Sequence, residues 1–294
     1  MKNLIVIIGP TAVGKSDLAI ELALELAGEI INADAMQLYR GLDIATAKLS
    51  HSEQRGVPHH LLDIYSVGKE ATVAEFQELA RSAIKDVLSR DKYPILVGGS
   101  GLYVTSVIDD LSFQEVDKQV RDALQARADQ GEDLYAELKR KDPKATEKIL
   151  PGNLRRVIRA LEVIEITGKP YSAALPNAEA IFKDVRIGLD LARDVLDQRI
   201  DLRVERMFER GIVAEVQAVQ AELGVTAKKA LGVSQVLEYL SGKIDLAQAK
   251  ADTALATRKF ARRQLSWFRR DQKITWLNAQ DRDLFEQTRR LGGK

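Results

Sequence analysis

The sequence has 294 residues, and its content of 45% hydrophobic and 30% charged residues is ordinary for a globular protein of one or two domains. The formal net charge of +1 excludes a strong overall attraction to nucleic acid, so any such binding must come from local basic patches. The absence of cysteine excludes disulfides, thiolate metal sites and a cysteine nucleophile.

Two features of the sequence predict a cytoplasmic protein with no membrane attachment. A chain without cysteine suits a reducing compartment. No apolar run approaches the roughly 20 residues that a membrane-spanning helix needs. The apolar run at residues 4–8 is too short for a signal-peptide core with its cleavage site, so we predict that it forms the first strand of the fold.

A phosphate-binding P-loop follows this strand and precedes an amphipathic helical segment. The loop reads Gly9, Pro10, Thr11, Ala12, Val13, Gly14, Lys15 and Ser16. Backbone N–H groups and a helix N-terminus would face an anion there. Lys15 would add a positive charge, and Ser16 would offer a hydroxyl group to Mg²⁺. The complete spacing in this context predicts a phosphate site, and a glycine-rich turn with a stray lysine is the plain alternative.

The second predicted strand, residues 29–34, ends in a carboxylate. Ligands of open parallel sheets bind outside the carboxyl ends of the strands, so Asp34 is placed to serve as a catalytic base facing the P-loop. A helix N-cap is the alternative role for this aspartate. His59 and His60 lack a third nearby ligand, so we expect them to pack and hydrogen-bond rather than to bind zinc.

A helix over residues 72–90 and a buried strand over residues 94–99 follow along the chain. Ser100 is the candidate N-cap of the next helix. We interpret Gly98 and Gly99 as leaving room for a ligand at this second strand end.

The predicted fold class is α/β, with a P-loop NTPase-like parallel sheet core flanked by helices and an all-helical insertion subdomain. The composition changes near residue 115, and charged helical segments then run without a strand to about residue 181. We therefore predict a core of residues 1–115 and 181–294, with a helical insertion at residues 116–180.

Arginines form local basic patches in the insertion and in the helix that follows the 184–189 strand. Arg155, Arg156 and Arg159 lie in the insertion, where a solvated helix face is the alternative interpretation. The later helix carries a continuous stripe of four arginines, Arg199, Arg203, Arg206 and Arg210. Asp197, Asp201 and Glu205 could neutralise part of this stripe. Four arginines on one face nevertheless favour a diphosphate or nucleic acid as the ligand.

The C-terminal segment at residues 258–273 has seven basic residues and one acidic residue, with aromatic residues between them. Such a helix is typical of contact with a nucleic-acid backbone. The aromatic side chains could equally form its core face, and we favour that role for Trp267. A final short strand is predicted at residues 274–276.

Taken in order, these motifs resemble those of the bacterial tRNA dimethylallyltransferases, also called tRNA isopentenyltransferases. The motifs are Gly-Pro-Thr-Ala-Val-Gly-Lys-Ser, Asn-Ala-Asp-Ala-Met-Gln-Leu-Tyr-Arg-Gly-Leu-Asp-Ile, Thr-Ala-Lys, Gly-Val-Pro-His-His, Gly-Gly-Ser-Gly-Leu-Tyr, Arg-Val-Ile-Arg-Ala-Leu-Glu-Val and Arg-Arg-Gln-Leu-Ser-Trp-Phe-Arg. The resemblance covers nearly the whole chain. It implies transfer of the dimethylallyl group of dimethylallyl diphosphate to N6 of adenine 37 of tRNAs, with Mg²⁺ assisting and diphosphate leaving.

The resemblance also implies a role for each matching residue. Asp34 would be the general base, Arg203 would hold the diphosphate and Ser100 would contact the target nucleotide. The implied tRNA-binding residues are Asp34, Ala35, Met36, Gln37, Ser100, Arg121, Arg155, Arg156, Arg159, Arg262, Arg263 and Arg269. The insertion would grip the anticodon stem-loop by shape and backbone, and the target base would flip out of its stack. Nothing demands more than a monomer.

Three alternatives remain open from the sequence: an adenylate isopentenyltransferase that makes cytokinin from free nucleotides, a P-loop small-molecule kinase, and a non-catalytic RNA-binding protein. A free nucleotide needs neither the insertion nor the basic C-terminal helix, which disfavours the first alternative. Departures from the family pattern occur at Ala35, Ala45, Ser100, Asn153 and Val233. None of them removes a charge that the resemblance assigns to catalysis.

Overall fold

The computed structural model describes residues 2–111, 113, 117–174 and 180–293. The chain forms two compact units, one made of Met1–Ile108 with Ala180–Lys294 and the other of Asp109–Glu179. The first unit contains the sheet, and the described part of the second contains helices. In the part of the chain that the structure describes, no helix combines the length and apolar character needed to cross a bilayer.

A six-stranded parallel sheet of order β3-β2-β4-β1-β5-β6 organises the first unit. Its strands are β1 (Leu4–Ile8), β2 (Gly28–Asn32), β3 (His59–His60), β4 (Tyr93–Gly98), β5 (Asp184–Asp190) and β6 (Ile274–Asn278). From β1 the chain passes to β2 and to the edge strand β3, then inserts β4 between β2 and β1, and finally adds β5 and β6 on the other side of β1. This change of direction at β1 creates a crevice at its carboxyl end, where the P-loop begins.

The helices of the first unit connect its strands and fill both faces of the sheet. They are α1 (Lys15–Leu26), α2 (Asp43–Thr46), α3 (Val73–Ser89), α4 (Gly101–Ile108), α9 (Arg193–Glu209), α10 (Ile212–Val219), α11 (Val233–Leu240), α12 (Leu246–Phe268) and α13 (Leu284–Gly292). The described helices of the second unit are α5 (Lys118–Asp129), α6 (Leu134–Lys141), α7 (Pro143–Thr146) and α8 (Leu154–Thr167). Two 3₁₀ turns lie at Tyr171–Ala174 and Ala227–Lys229.

Strand β1 is apolar at every position because both of its faces are covered. Leu4, Val6 and Ile8 belong to one hydrophobic cluster, whereas Ile5 and Ile7 belong to the other. Alternate side chains of a strand point to opposite faces, so a doubly covered strand loses the apolar–polar alternation. The predicted α/β fold with a helix-flanked parallel sheet is confirmed.

The second unit has its own hydrophobic cluster, which includes Leu124, Leu138 and Leu161. Its helices begin at polar residues that accept hydrogen bonds from free backbone N–H groups, as at Asp133 and Asn153. Asn153 is one of the departures from the family pattern, and it still caps α8 through its side-chain oxygen.

Candidate active site

The P-loop turns sharply between β1 and α1, and its glycines make this path possible. Gly9 has φ of 146°, and a Cβ atom there would lie 2.6 Å from the carbonyl oxygen of Leu189. Gly14 has φ of 104° and directly precedes α1. Ala12 also adopts a positive φ of 64°. The loop therefore holds its backbone in conformations that an ordinary chain avoids, next to the N-terminus of a twelve-residue helix.

Lys15 lies at the start of α1, where its ammonium group donates a hydrogen bond to the carbonyl oxygen of Pro10 at 2.7 Å. Burial lowers the pKa of Lys15 to about 8. The negative charge of Asp34 opposes this shift, and the positive charge of Arg203 adds to it. These three charged groups therefore act on one another in the same part of the site.

Asp34 is held in place directly after β2. Its backbone N–H donates to the side-chain oxygen of Asn32 at 2.9 Å, and its own Oδ1 accepts the backbone N–H of Met36 at 2.9 Å. The backbone N–H of Ala35 donates to the hydroxyl of Ser100 at 3.2 Å. Ser100 precedes α4, and its hydroxyl ties the Asp34 loop to the end of β4. This contact uses the backbone of residue 35, so alanine at that position does not disrupt it.

Arg203 reaches the same region from α9. Its guanidinium donates to the carbonyl oxygen of Thr46 at 3.4 Å, and Gln37 donates to that oxygen at 3.2 Å. Burial lowers the pKa of Arg203, and the charge of Asp34 opposes the shift. Glu215 supports this corner, because its carboxylate accepts the backbone N–H groups of residues 43–45 at 2.7–2.8 Å.

Two cavities meet at these residues. The loop cavity, of about 310 Å³, contains the P-loop residues Lys15 and Ser16 together with Arg199. The apolar cavity, of about 450 Å³, is lined by side chains that include Phe260 and Trp267. Six residues line both cavities: Thr11, Asp34, Thr46, Gly99, Arg203 and Gln264. Asp34 and Arg203 therefore stand where a polar compartment opens into an apolar one.

Gln264 is a site residue that the sequence interpretation missed. It lies on α12 and is only 5% exposed. Its side-chain oxygen accepts the backbone N–H of Thr11 at 2.9 Å, and its side-chain nitrogen donates to the carbonyl oxygen of Gly99 at 2.9 Å. One buried amide thus joins the basic C-terminal helix to the P-loop and to the end of β4. The signal available in the sequence was an uncharged polar side chain at position 264, within a segment whose other polar residues are mostly basic.

The interpretation of the Gly98–Gly99 pair as space for a ligand is corrected by the structure. A Cβ atom at Gly98 would lie 2.3 Å from the carbonyl oxygen of Ala33, and one at Gly99 would lie 2.1 Å from Nε2 of Gln264. These glycines line the cavities, but the space of their missing side chains is taken by the protein itself. The next glycine, Gly101, makes room for Trp267 in the same way.

The arginines in the last turns of α12 and directly after it have different surroundings. Arg262 pairs with Asp197 at 3.1 Å, and Arg269 pairs with Asp190 at 2.7 Å. Arg263 instead lines the apolar cavity. Trp267 packs against the core and donates from its indole nitrogen to Thr105 at 3.3 Å, and it also forms part of the apolar cavity wall.

The predicted RNA-binding arginines of the insertion also divide into two sorts. Arg121 and Arg159 both pair with the fully buried carboxylate of Glu162, each at 2.9 Å. Arg155 and Arg156 are exposed at the start of α8. The first two therefore have a structural role in the helical unit, and the second two are accessible to an external anion.

The paired histidines form strand β3 and line up beside β2. The ring of His60 lies 2.8 Å from the carboxylate of Glu29, which Arg90 also contacts. Hydrogen bonds from Arg90 hold the pKa of Glu29 well below its usual range. Burial lowers the pKa of His59, whose ring lines the loop cavity.

Ser16 offers a hydroxyl group for a metal bound with phosphate. Ser16 is exposed at the start of α1 and lines the loop cavity. Asp190, at the end of β5, has one carboxylate oxygen bound to Arg269 and the other to the backbone N–H of Leu191. Within the described residues, no group of three or more His, Asp or Glu side chains is placed to hold a metal. The donor set fits Mg²⁺ only as an ion carried largely by water and phosphate oxygens.

The chain matches known proteins over nearly its full length. The model of the IPP transferase family matches residues 37–271. A tRNA dimethylallyltransferase from Thermobifida fusca is 52% identical over 297 residues, covering 98% of this chain and 93% of that protein. One from Streptomyces coelicolor is 52% identical over 281 residues, covering 94% and 90%.

Solved structures resemble the chain as well. A tRNA isopentenylpyrophosphate transferase from Bacillus halodurans has a TM-score of 0.73 at 39% identity, covering 100% of this chain and 95% of that one. A eukaryotic dimethylallyltransferase acting on tRNA has a TM-score of 0.84 at 29% identity, covering 98% of this chain and 76% of that one.

Proposed function

The chain belongs to the IPP transferase family, and from this premise we propose that it transfers the dimethylallyl group of dimethylallyl diphosphate to N6 of adenine 37 of tRNAs, releasing diphosphate. The observation that carries this proposal is the meeting of the two cavities at Asp34 and Arg203. One cavity presents groups that bind phosphate, and the other presents apolar and aromatic walls that suit a base and a prenyl chain. The family membership that the sequence motifs predict is confirmed.

Asp34 is the general base of the proposed reaction. It accepts a proton from N6 as that nitrogen attacks the first carbon of the dimethylallyl group. The hydrogen bond from Met36 fixes one carboxylate oxygen, which leaves the other oxygen for the substrate. Ser100 holds the adjoining backbone and so keeps the carboxylate at the junction of the cavities.

The P-loop and Arg203 stabilise the leaving diphosphate. Negative charge builds up on its oxygens as the carbon–oxygen bond breaks, and fixed N–H groups and cations lower the energy of that state. Lys15 and Arg203 supply the cations in the loop cavity. Ser16 would hold Mg²⁺, which would supply further positive charge to the diphosphate. No phosphoryl group is transferred, although the loop has the form found in nucleotide-binding enzymes.

tRNA is the proposed acceptor because relatives that are 52% identical to this chain are named tRNA dimethylallyltransferases. The accessible arginines Arg155 and Arg156 suit the backbone of an anticodon stem-loop, and Arg263 stands at the apolar cavity. Aromatic walls such as Trp267 suit a base that has left its stack. A monomeric protein in the cytoplasm remains part of this proposal.

One assay tests the proposal. The protein is incubated with Mg²⁺, labelled dimethylallyl diphosphate and an unmodified tRNA with adenines at positions 36 and 37. We expect label in that RNA and none in a matched tRNA with guanine at position 37. Label in added AMP but not in RNA would support an adenylate isopentenyltransferase instead, and ATP turnover without prenyl transfer would support a kinase.

A further inference from the structure

The arginine stripe of α9 has two members that the proposed chemistry does not use. Arg199 and Arg203 line the loop cavity, whereas Arg206 and Arg210 lie one and two turns further along the same face. A third cavity, of about 450 Å³, is lined by all four arginines, and it adjoins the P-loop at Ala12. We call it the arginine cavity.

Three acidic residues of α9 that could neutralise this stripe pair with α12 instead. Asp197 pairs with Arg262 at 3.1 Å, Asp201 pairs with Arg258, and Glu205 pairs with Lys250 at 2.7 Å. These three carboxylates therefore face α12, whereas Arg199 and Arg203 face the P-loop and α2. The sequence alone had left this neutralisation open.

The arginine cavity is consequently a concentrated positive region. None of its nine lining residues in the described chain is acidic. Arg206 and Arg210 are exposed, and within the described residues neither has a carboxylate within ion-pairing distance. Hydrogen bonds from Ser50 lower the pKa of Glu53, and the positive charge of Arg210 adds to that shift. The electrostatic influence of Arg210 therefore reaches this carboxylate.

The remaining walls of the arginine cavity are apolar. Leu202 is 58% exposed there, and Ile44 and Met207 lie alongside it. An exposed leucine among unpaired guanidinium groups matches a ligand with a multiply charged anionic head and a short hydrocarbon tail. A nucleic-acid backbone would match the arginines but not this apolar surface.

We infer that the arginine cavity is an access subsite, in which Arg206 and Arg210 capture an allylic diphosphate from solution and pass it to Arg199, Arg203 and the P-loop. This inference rests on the proposed function and deepens it by assigning the route of the prenyl donor. Like charges aligned along a cleft concentrate the local field and raise the rate of encounter with an oppositely charged ligand. The effect weakens with salt because exposed charges are screened.

The test compares two double variants that each remove two positive charges. Arg206→Gln with Arg210→Gln changes the access subsite. Arg193→Gln with Arg282→Gln is the matched control, since both residues are exposed and line neither the loop cavity nor the arginine cavity. Association of dimethylallyl diphosphate with the protein, in the presence of Mg²⁺, is followed by stopped-flow fluorescence of the two tryptophans, of which Trp267 lines the apolar cavity, at several ionic strengths and without tRNA.

We expect the Arg206/Arg210 variant to associate about tenfold more slowly at low salt, with a flatter salt dependence, while the control keeps the wild-type rate and slope. Thermal melting is measured in parallel, because loss of favourable charge at the C-terminal end of α9 would by itself lower stability without slowing association.

Two outcomes overturn the inference. These are an unchanged association rate in the Arg206/Arg210 variant and an equal loss of rate in both double variants. Wild-type turnover on tRNA separates this inference from the proposed function. A wild-type protein that binds dimethylallyl diphosphate but does not prenylate tRNA contradicts the proposed acceptor, and a slowed Arg206/Arg210 variant still supports the subsite.

Discussion

The loop cavity and the apolar cavity share six residues yet differ in the groups that line them. The loop cavity is lined by Lys15, Ser16 and two arginines, beside a loop whose glycines adopt positive φ. The apolar cavity is built on side chains such as Leu102, Phe260 and Trp267. One compartment offers positive charge and a hydroxyl group, and the other offers mainly apolar surface.

This difference suggests how one site can break a carbon–oxygen bond without moving a phosphoryl group. The bond that breaks would cross the boundary between the compartments, with the anion retained on one side and the prenyl carbon exposed to N6 on the other. Substitutions on the two sides should therefore have separable kinetic effects, and residues at the boundary should affect the chemical step.

The boundary itself gives the largest expected effect. Asp34→Asn keeps an oxygen for the Met36 hydrogen bond but removes the base, so kcat should fall by about 10²–10⁴-fold. Dissociation constants for tRNA and for dimethylallyl diphosphate, measured separately by titration, should stay close to those of the wild type. Turnover at the wild-type rate would show that Asp34 only shapes the loop.

Arg203→Ala tests the charged side of the boundary. A hydrogen bond to a charged group contributes about 1.5–3 kcal/mol, so the apparent affinity for dimethylallyl diphosphate should fall by roughly 10–100-fold. Affinity for tRNA should change far less. Steady-state kinetics with each substrate varied in turn provides the measurement. A defect restricted to tRNA would show that Arg203 does not bind the diphosphate.

Lys15 gives the loop cavity a pH dependence. Its pKa is lowered to about 8, so the unliganded protein loses this charge as the pH rises through that value. A bound anion favours the protonated form, so the dissociation constant of dimethylallyl diphosphate should rise above pH 8 and approach a slope of about tenfold per pH unit. Lys15→Arg keeps its charge and should flatten the profile. An equal slope in both proteins would assign the titration to another group.

Substitutions in the insertion give the smallest expected effect. Its exposed arginines and its buried-carboxylate partners should respond differently. Replacing Arg155 and Arg156 with Gln should lower the salt dependence of tRNA binding, by roughly 0.7–0.9 in slope for each phosphate that the protein no longer neutralises. Arg121→Gln should instead lower the melting temperature, because it removes a partner from the buried Glu162. Filter-binding titrations at several salt concentrations and thermal melting distinguish the two roles. An unchanged slope would identify Arg155 and Arg156 as solvated surface residues.

Local patterns in the sequence were sufficient for strands β1, β2, β4, β5 and β6, the P-loop and the helix over residues 73–89, because each depends on neighbours along the chain. The two-residue strand β3 was not predicted. The position of Asp34 followed from one general property of parallel sheets. The pairing of Asp197, Asp201 and Glu205 with α12 could not be predicted, since it depends on how two distant helices align. The filling of the space beside Gly99 could not be predicted either, since it depends on Gln264, which lies 165 residues further along the chain.

The buried amide of Gln264 links events that would otherwise be independent. It belongs to a helix that presents Arg263 to the apolar cavity, and it holds the backbone N–H of Thr11 in the P-loop. If RNA binding shifts α12, that displacement reaches the diphosphate-binding backbone through a single hydrogen bond. Thermodynamic reciprocity then requires each substrate to alter the affinity of the other by the same factor. The two substrates of this protein would thus bind cooperatively without a second conformation of the whole fold.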